Sequence, residues 1–452
     1  MVPLTGAELR AALGARGGPD GSFSGEVRID SRAVAPGDLF VAVSGERVDG
    51  HDFVEKAMSA GAFGCVVEHE SAEQYVVADT VVALQSLARQ VFAPDQPLTF
   101  GVTGSSGKTS TKDLLAQVLA GFGDTLAPAG NHNNEIGLPL TATQRTPDTR
   151  FAVLEYGARG PGHIAFLCAI AQPDIAVVLN VGSAHLGEFG SVEAIARAKG
   201  ELVEAARSRA VLNADDPRVL AMGARTERPV VTYGLSAAAD VRATDVSLDD
   251  RGRASFRVQG EPVALQLVGE HHVSNALAVT AALLGVVTDD LPRLADALGQ
   301  ARPASRWRME VTDRPDGVTV VNDAYNANPE SMRAALKTLA VMSAGKTRRT
   351  WAVLGAMGEL GDDARSAHMD LGRFVVRLDV SRLVVIGSGA GGIHAGAVLE
   401  GSWGEESVHV EDVDAAVALL RAELAPGDVV LVKASRSAGL ERVAAALLED
   451  AQ

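Results

Sequence analysis

Apolar runs of four to six residues recur along the chain, separated by longer stretches in which apolar positions return every three or four residues. The short runs are the pattern of buried strands, and the longer periodicity is that of helices lying over them. Before residue 95 the runs fall in "DLFVAVSG" and "GCVVEHE", with one helical pattern in "HDFVEKAMSAGA" and a polar close in "FAPDQPL". Between about 96 and 303, "LTFGVTG", "FAVLEYGA", "DIAVVLNVG" and "RAVLNAD" alternate with helical segments. After "QARPAS" the alternation restarts with "GVTVVNDA", "TWAVLGAM", "RLVVIGSG" and "DVVLVKAS". Such alternation predicts an α/β protein with parallel sheets covered by helices. The breaks divide the 452 residues into three domains: a small α/β N-terminal domain over 1–95, a central one over 96–303 and a third over 304–452. One core would not serve a chain of this length.

Composition changes this picture little but narrows the chemistry. A formal net charge of −16 argues against nucleic acid as the main partner. Any anionic ligand must therefore be held by a local cluster of positive groups. The opening "MVPLTGAELRAALGARGG" lacks an apolar signal-type core, and no run approaches a membrane span. Cys65 and Cys168 form no disulfide framework, which favours a reducing, cytoplasmic setting. Only seven of the 41 basic residues are lysines, and Lys108, Lys199 and Lys433 fall inside dense motifs.

The stretch "GVTGSSGKTS" lies between a compact apolar strand and an amphipathic helical pattern. Strand, glycine turn and helix N-terminus together aim backbone N–H groups and the helix dipole at one anion. Gly104, Ser105, Ser106, Gly107, Lys108, Thr109 and Ser110 are the nucleotide-binding candidates. Lys108 would reach the β- and γ-phosphates, and the Thr109 hydroxyl could ligate Mg²⁺. Val102 stands where the common spacing has glycine, so this is a variant loop with glycines at 101, 104 and 107. Glu155 and His185 end two further strand patterns, on the same carboxyl edge of the sheet as the loop. A carboxylate and an imidazole there could hold divalent ions, although buried structural roles would also explain each alone. Lys199 sits in the helical pattern "SVEAIARAKGELVEAA", where an isolated lysine reads as a solvated salt bridge.

"RLVVIGSGAGG" places Gly387, Gly389 and Gly392 in a dinucleotide spacing, with Glu411 further on. The following "IHAGAVLEG" is short and broken by glycine, so the segment reads as a glycine-rich βα turn.

Further motifs join the phosphate loop in a fixed order. They are "DSRAVAPGDLFVAVSGERVDGHDF", "GNHNNEIGLPL", "VLEYGARGPGHIAFLCAIAQPDIAVVLNVGSAHLGEFGS", "AKGEL", "NADDP", "LVGEHHVSNALA", "RME", "NDAYNANPESM" and "GDVVLVKASR". On these motifs, from residue 26 to 436, the chain resembles the Mur ligases of bacterial cell-wall synthesis. "NNEIG", "EYGARGPGHI" and "NDAYNANP" resemble the branch that adds a dipeptide. The resemblance implies a UDP-substrate-binding N-terminal domain, a central phosphate-loop ATPase-like domain and a C-terminal Rossmann-like domain that closes over the site. It implies amide formation between the carboxylate of UDP-MurNAc-tripeptide and D-alanyl-D-alanine, driven by ATP with Mg²⁺, in a monomer without membrane insertion. By motif, Lys108, Lys199, His185 and Arg306 would be catalytic, with Thr109, Glu155, His185 and Lys199 at the metals. Asn275 and Asp323 would contact adenosine, and Arg306 the γ-phosphate. Ser31 and Arg32 would hold the uridine diphosphate, Asn133 and Asn134 the muramyl-peptide, and Asn326 and Asn328 the dipeptide; Lys433, Ser435 and Arg436 are further candidates. In the family's "AKGEL" position Lys199 is expected as a carbamate. Tyr156 replaces a common methionine and Ala356 a common aspartate, leaving the phosphate and metal groups intact. A sister ligase adding one amino acid is the alternative; the D-N-P-R signature usual in its diaminopimelate-adding members is absent.

Overall fold

A computed structural model of the chain describes residues 1–45, 48–69, 73–93, 95–182, 186–343, 345, 347–402 and 404–449. Three sheets carry most of the strands. The N-terminal one has four short parallel strands, Val27–Arg28, Leu39–Val41, Gly64–Val67 and Tyr75–Val76, in that order. Besides the expected helical segment, here Val54–Ser59 behind a short 3₁₀ turn, this region holds helices Gly6–Leu13 and Thr80–Phe92. Asp79 starts the latter by accepting the N–H groups of Val81 and Val82. That helix leads into the central sheet, and Arg145 ties the junction by donating to the carbonyls of Val91 and Asp95.

The central sheet runs parallel through the expected strands Leu98–Thr103, Phe151–Glu155, Ile175–Val178 and Arg209–Asn213. It then continues as an antiparallel meander, Val241–Leu248, Arg253–Val258 and Glu261–Val268. The block pattern of strand and helix did not anticipate this extension. Its signal is a period of two: Ala254, Phe256 and Val258 are buried while Ser255 and Arg257 are exposed. Helix His271–Leu283 packs on the meander and supplies Val273, Leu277 and Ala281 to the same core as Phe100 and Val177.

The C-terminal sheet orders its strands Glu310–Asp313, Thr319–Asn322, Val429–Lys433, Thr350–Leu354, Arg382–Ile386 and Ser407–Val410. Only the first pairs antiparallel. The glycines near "GSGAGG" have a packing role. A Cβ on Gly372 would lie 1.9 Å from the Ile393 carbonyl oxygen, and one on Gly396 would lie 2.0 Å from that of Met369. Helices Ala364–Arg377 and Gly391–Glu400 therefore touch backbone to backbone.

Candidate active site

Strand Leu98–Thr103 lies between Phe151–Glu155 and Ile175–Val178, with Val102 opposite Glu155 and Thr103 opposite Val178. Parallel pairing puts all three carboxyl ends on one edge, and the phosphate loop leaves from the middle strand. Val102 is fully buried within the strand, so glycine's absence there leaves the turn itself intact. Gly107 supplies the backbone requirement: it takes φ +81° and starts helix Lys108–Ala120. Asn275 closes over it, its Oδ1 3.1 Å from where a Cβ would stand.

Asn180, which the motif reading passed over, clamps the loop. Its Oδ1 accepts the Ser106 N–H at 2.9 Å, its Nδ2 donates to the Ser106 carbonyl, and its own carbonyl accepts the Ser105 N–H. Two N–H groups expected to face the anion are thus occupied within the protein. The cradle narrows to the first turn of the helix, where N–H groups lack intrahelical partners. The Lys108 ammonium donates to the Gly104 carbonyl at 2.7 Å. Burial pushes its pKa down, opposed by Glu155 and reinforced by Arg308.

Glu155 is 1% exposed and fully engaged: Oε2 accepts from the Thr109 hydroxyl at 2.9 Å and Oε1 from Asn133 Nδ2 at 2.7 Å. These hard oxygen donors fit Mg²⁺, which keeps several waters and takes few protein ligands. His185 lies outside the described residues, and no group of three His, Cys, Asp or Glu gathers among the described ones. Lys199 is buried, beside Lys108, with no hydrogen bond to a described residue. Burial, then the neighbouring Lys108 charge, pushes its pKa well down. Its burial rules out the solvated salt bridge expected from the sequence, and Glu201, two residues on, accepts the N–H groups of Gly162 and Ala165.

The interdomain arginine differs from the expectation. Arg306 is exposed and lines no part of the cavity, whereas Arg308 enters it. Arg308 donates to the Thr109 hydroxyl at 3.0 Å and stacks over the Tyr325 ring at 4.1 Å. The backbone explains the exchange. Trp307 (φ +59°) and Met309 (φ +51°) both take left-handed conformations, turning the residue between them inward. Bonds from Trp307 N–H to Glu310 and from Met309 N–H to Asp323 hold that turn. Arg308→Ala should lower kcat/KM for ATP by about 10- to 100-fold, the range for a hydrogen bond to a charged group. Arg306→Ala should stay near wild type. Initial rates at varied ATP separate the two, and the reverse order would restore Arg306.

The cavity encloses 520 Å³ between the central and C-terminal domains, and no residue before Ser105 lines it. It gathers Ser105 to Ser110, Asn133, Asn134, Glu155, Lys199, Asn275, Arg308, Asp323, Asn326, Asn328, Lys433 and Arg436 from the candidates. Asp323 accepts from Lys433 at 2.6 Å, and Lys433 also donates to the Asn326 carbonyl. Asn328 Oδ1 caps helix Pro329–Val341, and Asn134 Oδ1 accepts the N–H groups of Ile136 and Gly137 at the start of helix Gly137–Thr143. Ser435 is buried outside the cavity lining. Ser31 and Arg32 also lie outside it; Arg32 is exposed and paired with Asp30, whose carboxyl it pulls down to about 2. His271, a lining residue not singled out from the sequence, has its pKa pushed down to about 4 by burial, with Lys433 adding to the effect and Asp323 opposing it. It is a neutral imidazole against the His272 ring, whose Nδ1 lies 3.3 Å from Asn275 Nδ2. Tyr156 is fully buried, with its hydroxyl on the Ala171 carbonyl, clear of the cavity.

A phosphate loop and an arginine from beyond the central sheet, meeting in one cavity, suit a nucleotide-dependent ligase, and three family descriptions match the chain. Residues 25–93 match the Mur ligase catalytic domain, 102–283 the Mur ligase middle domain, and 307–436 the Mur ligase glutamate ligase domain. The chain belongs to the Mur ligase family. A UDP-N-acetylmuramoyl-tripeptide–D-alanyl-D-alanine ligase of Mycobacterium tuberculosis is 47% identical, covering 94% of this chain and 92% of that protein. Two solved structures are each 31% identical and match over nearly the whole chain. One is the Acinetobacter baumannii UDP-N-acetylmuramoylalanyl-D-glutamyl-2,6-diaminopimelate–D-alanyl-D-alanyl ligase, with TM-score 0.84 over 99% of this chain and 98% of that one. The other is the MurF ligase of Thermotoga maritima in complex with ADP, with TM-score 0.81 over 95% and 98%. A ligase adding diaminopimelate is 22% identical and shares the fold alone.

Proposed function

We propose that this chain joins the tripeptide carboxylate of UDP-N-acetylmuramoyl-tripeptide to the amine of D-alanyl-D-alanine, converting ATP to ADP and phosphate. The observation that carries the reading is the 47% identity, over nearly the whole chain, to a ligase of that name. The motif order supports it, and the ADP complex of the Thermotoga relative supports the nucleotide. Domain limits at 95/96 and 303/304, a monomeric state and a cytoplasmic setting belong to the same reading. No helix among the described residues is long and apolar enough to cross a membrane.

A carboxylate is a poor acyl donor. One of its oxygens first bonds to the γ-phosphorus of ATP while the bond to the β-bridging oxygen breaks, giving an acyl phosphate and ADP. The dipeptide amine then attacks the acyl carbon, phosphate leaves with the former carboxylate oxygen, and the amine loses its proton. Little covalent chemistry falls to the protein, so its contribution is positioning and charge neutralisation. The N-terminus of helix Lys108–Ala120 and Lys108 hold the β- and γ-phosphates, and Arg308, already on the Thr109 hydroxyl, supplies a second cation. Thr109, Glu155, His185 and a carbamylated Lys199 would hold Mg²⁺, which supplies charge neutralisation on the phosphate oxygens. Asn275, His271 and Asp323 face the adenosine, Asn133 and Asn134 the muramyl-peptide, and Asn326 and Asn328 the dipeptide. Ser31 and Arg32 would engage the uridine diphosphate from the N-terminal domain.

Phosphate release by the purified protein should require UDP-MurNAc-tripeptide and D-alanyl-D-alanine together. Equal or faster release with D-alanine or a diamino acid would replace this reading with that of a single-residue ligase.

A further inference from the structure

Most cations that line the cavity are already engaged. Lys108 donates to Gly104, Arg308 to Thr109, Lys433 to Asp323 and Arg436 to Glu441, while Lys199 lies beside Lys108. Arg159 differs. It lines the cavity on the wall of Asn133, Asn134 and Gly157, and its side chain is 62% exposed. One guanidinium nitrogen donates to Glu135 Oε1 at 2.8 Å; Nε and the other terminal nitrogen make no bond to a described residue. Its direction is set by its neighbours. The Arg159 backbone N–H donates to His163 Nδ1 at 3.2 Å, and His163 Nε2 lies 3.5 Å from Glu135 Oε2. This wall is continuous with Glu155: Asn133 donates to its carboxylate, and the Gly157 N–H donates to the Asn133 carbonyl.

We propose that Arg159 is a specificity-determining residue that binds a non-reacting carboxylate of the acyl-donor peptide. The inference rests on the reading of the acyl donor above. The Acinetobacter relative's named substrate contains glutamyl and diaminopimelate residues. Both are dicarboxylic, so such a peptide carries carboxylates beyond the one that reacts. A guanidinium held on one side and open on the other matches a carboxylate with two parallel N–H donors. The donor is favoured over the dipeptide because the wall belongs to the central domain, beside Glu155, where the proposed function would bring the reacting carboxylate to the γ-phosphate.

The test is initial-rate kinetics of the full chain with three UDP-MurNAc-tripeptides: the parent, one amidated at the glutamyl carboxyl, and one amidated at the non-reacting carboxyl of diaminopimelate. Wild type should lose on the order of tenfold or more in KM with one amidated peptide, which identifies the carboxylate. Arg159→Ala should show the same KM rise with the parent, unchanged KM for ATP and for D-alanyl-D-alanine, and no further loss on that amidation. Arg159→Lys, which keeps charge but not the fork, should fall between them and guards against a folding defect. A variant that still discriminates as wild type does, or a KM rise on ATP or the dipeptide instead, overturns the proposal. An active wild type with an indifferent Arg159→Ala sinks this proposal only, whereas a wild type inactive with the parent pair sinks the functional reading as well.

Discussion

Lys108→Ala should lower kcat by at least ~10²-fold, the scale on which removing one preorganised charge-stabilising donor acts. The ammonium is the first side chain of the phosphate-loop helix and is buried against the loop carbonyl of Gly104. Burial is the largest influence on it and disfavours its charge, while Glu155 favours the protonated form. Under the proposed function, removing it would leave the helix N-terminus, Arg308 and Mg²⁺ to neutralise the transferring phosphoryl group. Single-turnover phosphate release checks this at saturating ATP, where a binding defect is excluded. A variant within a few-fold of wild type would show that Lys108 only shapes the loop.

Lys199→Arg should lose activity by at least about 10- to 100-fold, since outer-shell changes at metal sites alone cost that much. The reason is the requirement for an anion where the side chain is buried beside another lysine. A second ammonium there would repel both Lys108 and a metal by several kcal/mol, roughly. Burial and Lys108 favour the neutral amine, whose nitrogen can attack CO₂, form an N–C bond and release one proton to leave a carbamate. Arginine stays protonated and cannot follow. Short carboxylic acids should partly restore Lys199→Ala by replacing the anion, and ¹³C-bicarbonate should give wild type a carbamate resonance that the alanine variant lacks. Full activity in the arginine variant rules the carbamate out.

The phosphate loop and Glu155 were legible because each depends on local order. A strand, a glycine turn and a helix start are contiguous in "LTFGVTGSSGKTS", and Glu155 ends its own apolar run. The choice between Arg306 and Arg308 was not legible. They stand two residues apart on a linker, and the selection depends on two left-handed residues that neither glycine nor asparagine marks. Asn180 was overlooked for a similar reason. Its clamp on Ser106 spans 74 positions and exists only because strands Leu98–Thr103 and Ile175–Val178 are neighbours.

By itself the sequence determined the element types, the three-part α/β division and the family, since periodicity and motif order are properties of consecutive residues. Even there, the period of two in residues 241–268 carried a meander that attention to alternating blocks passed over. Tertiary structure alone decided which side chains converge. It set Thr109 and Asn133 on Glu155, Arg308 on Tyr325 and Thr109, and Arg159 on Glu135. These contacts join residues far apart in the chain, and their geometry follows from sheet order and domain docking, which no local pattern encodes.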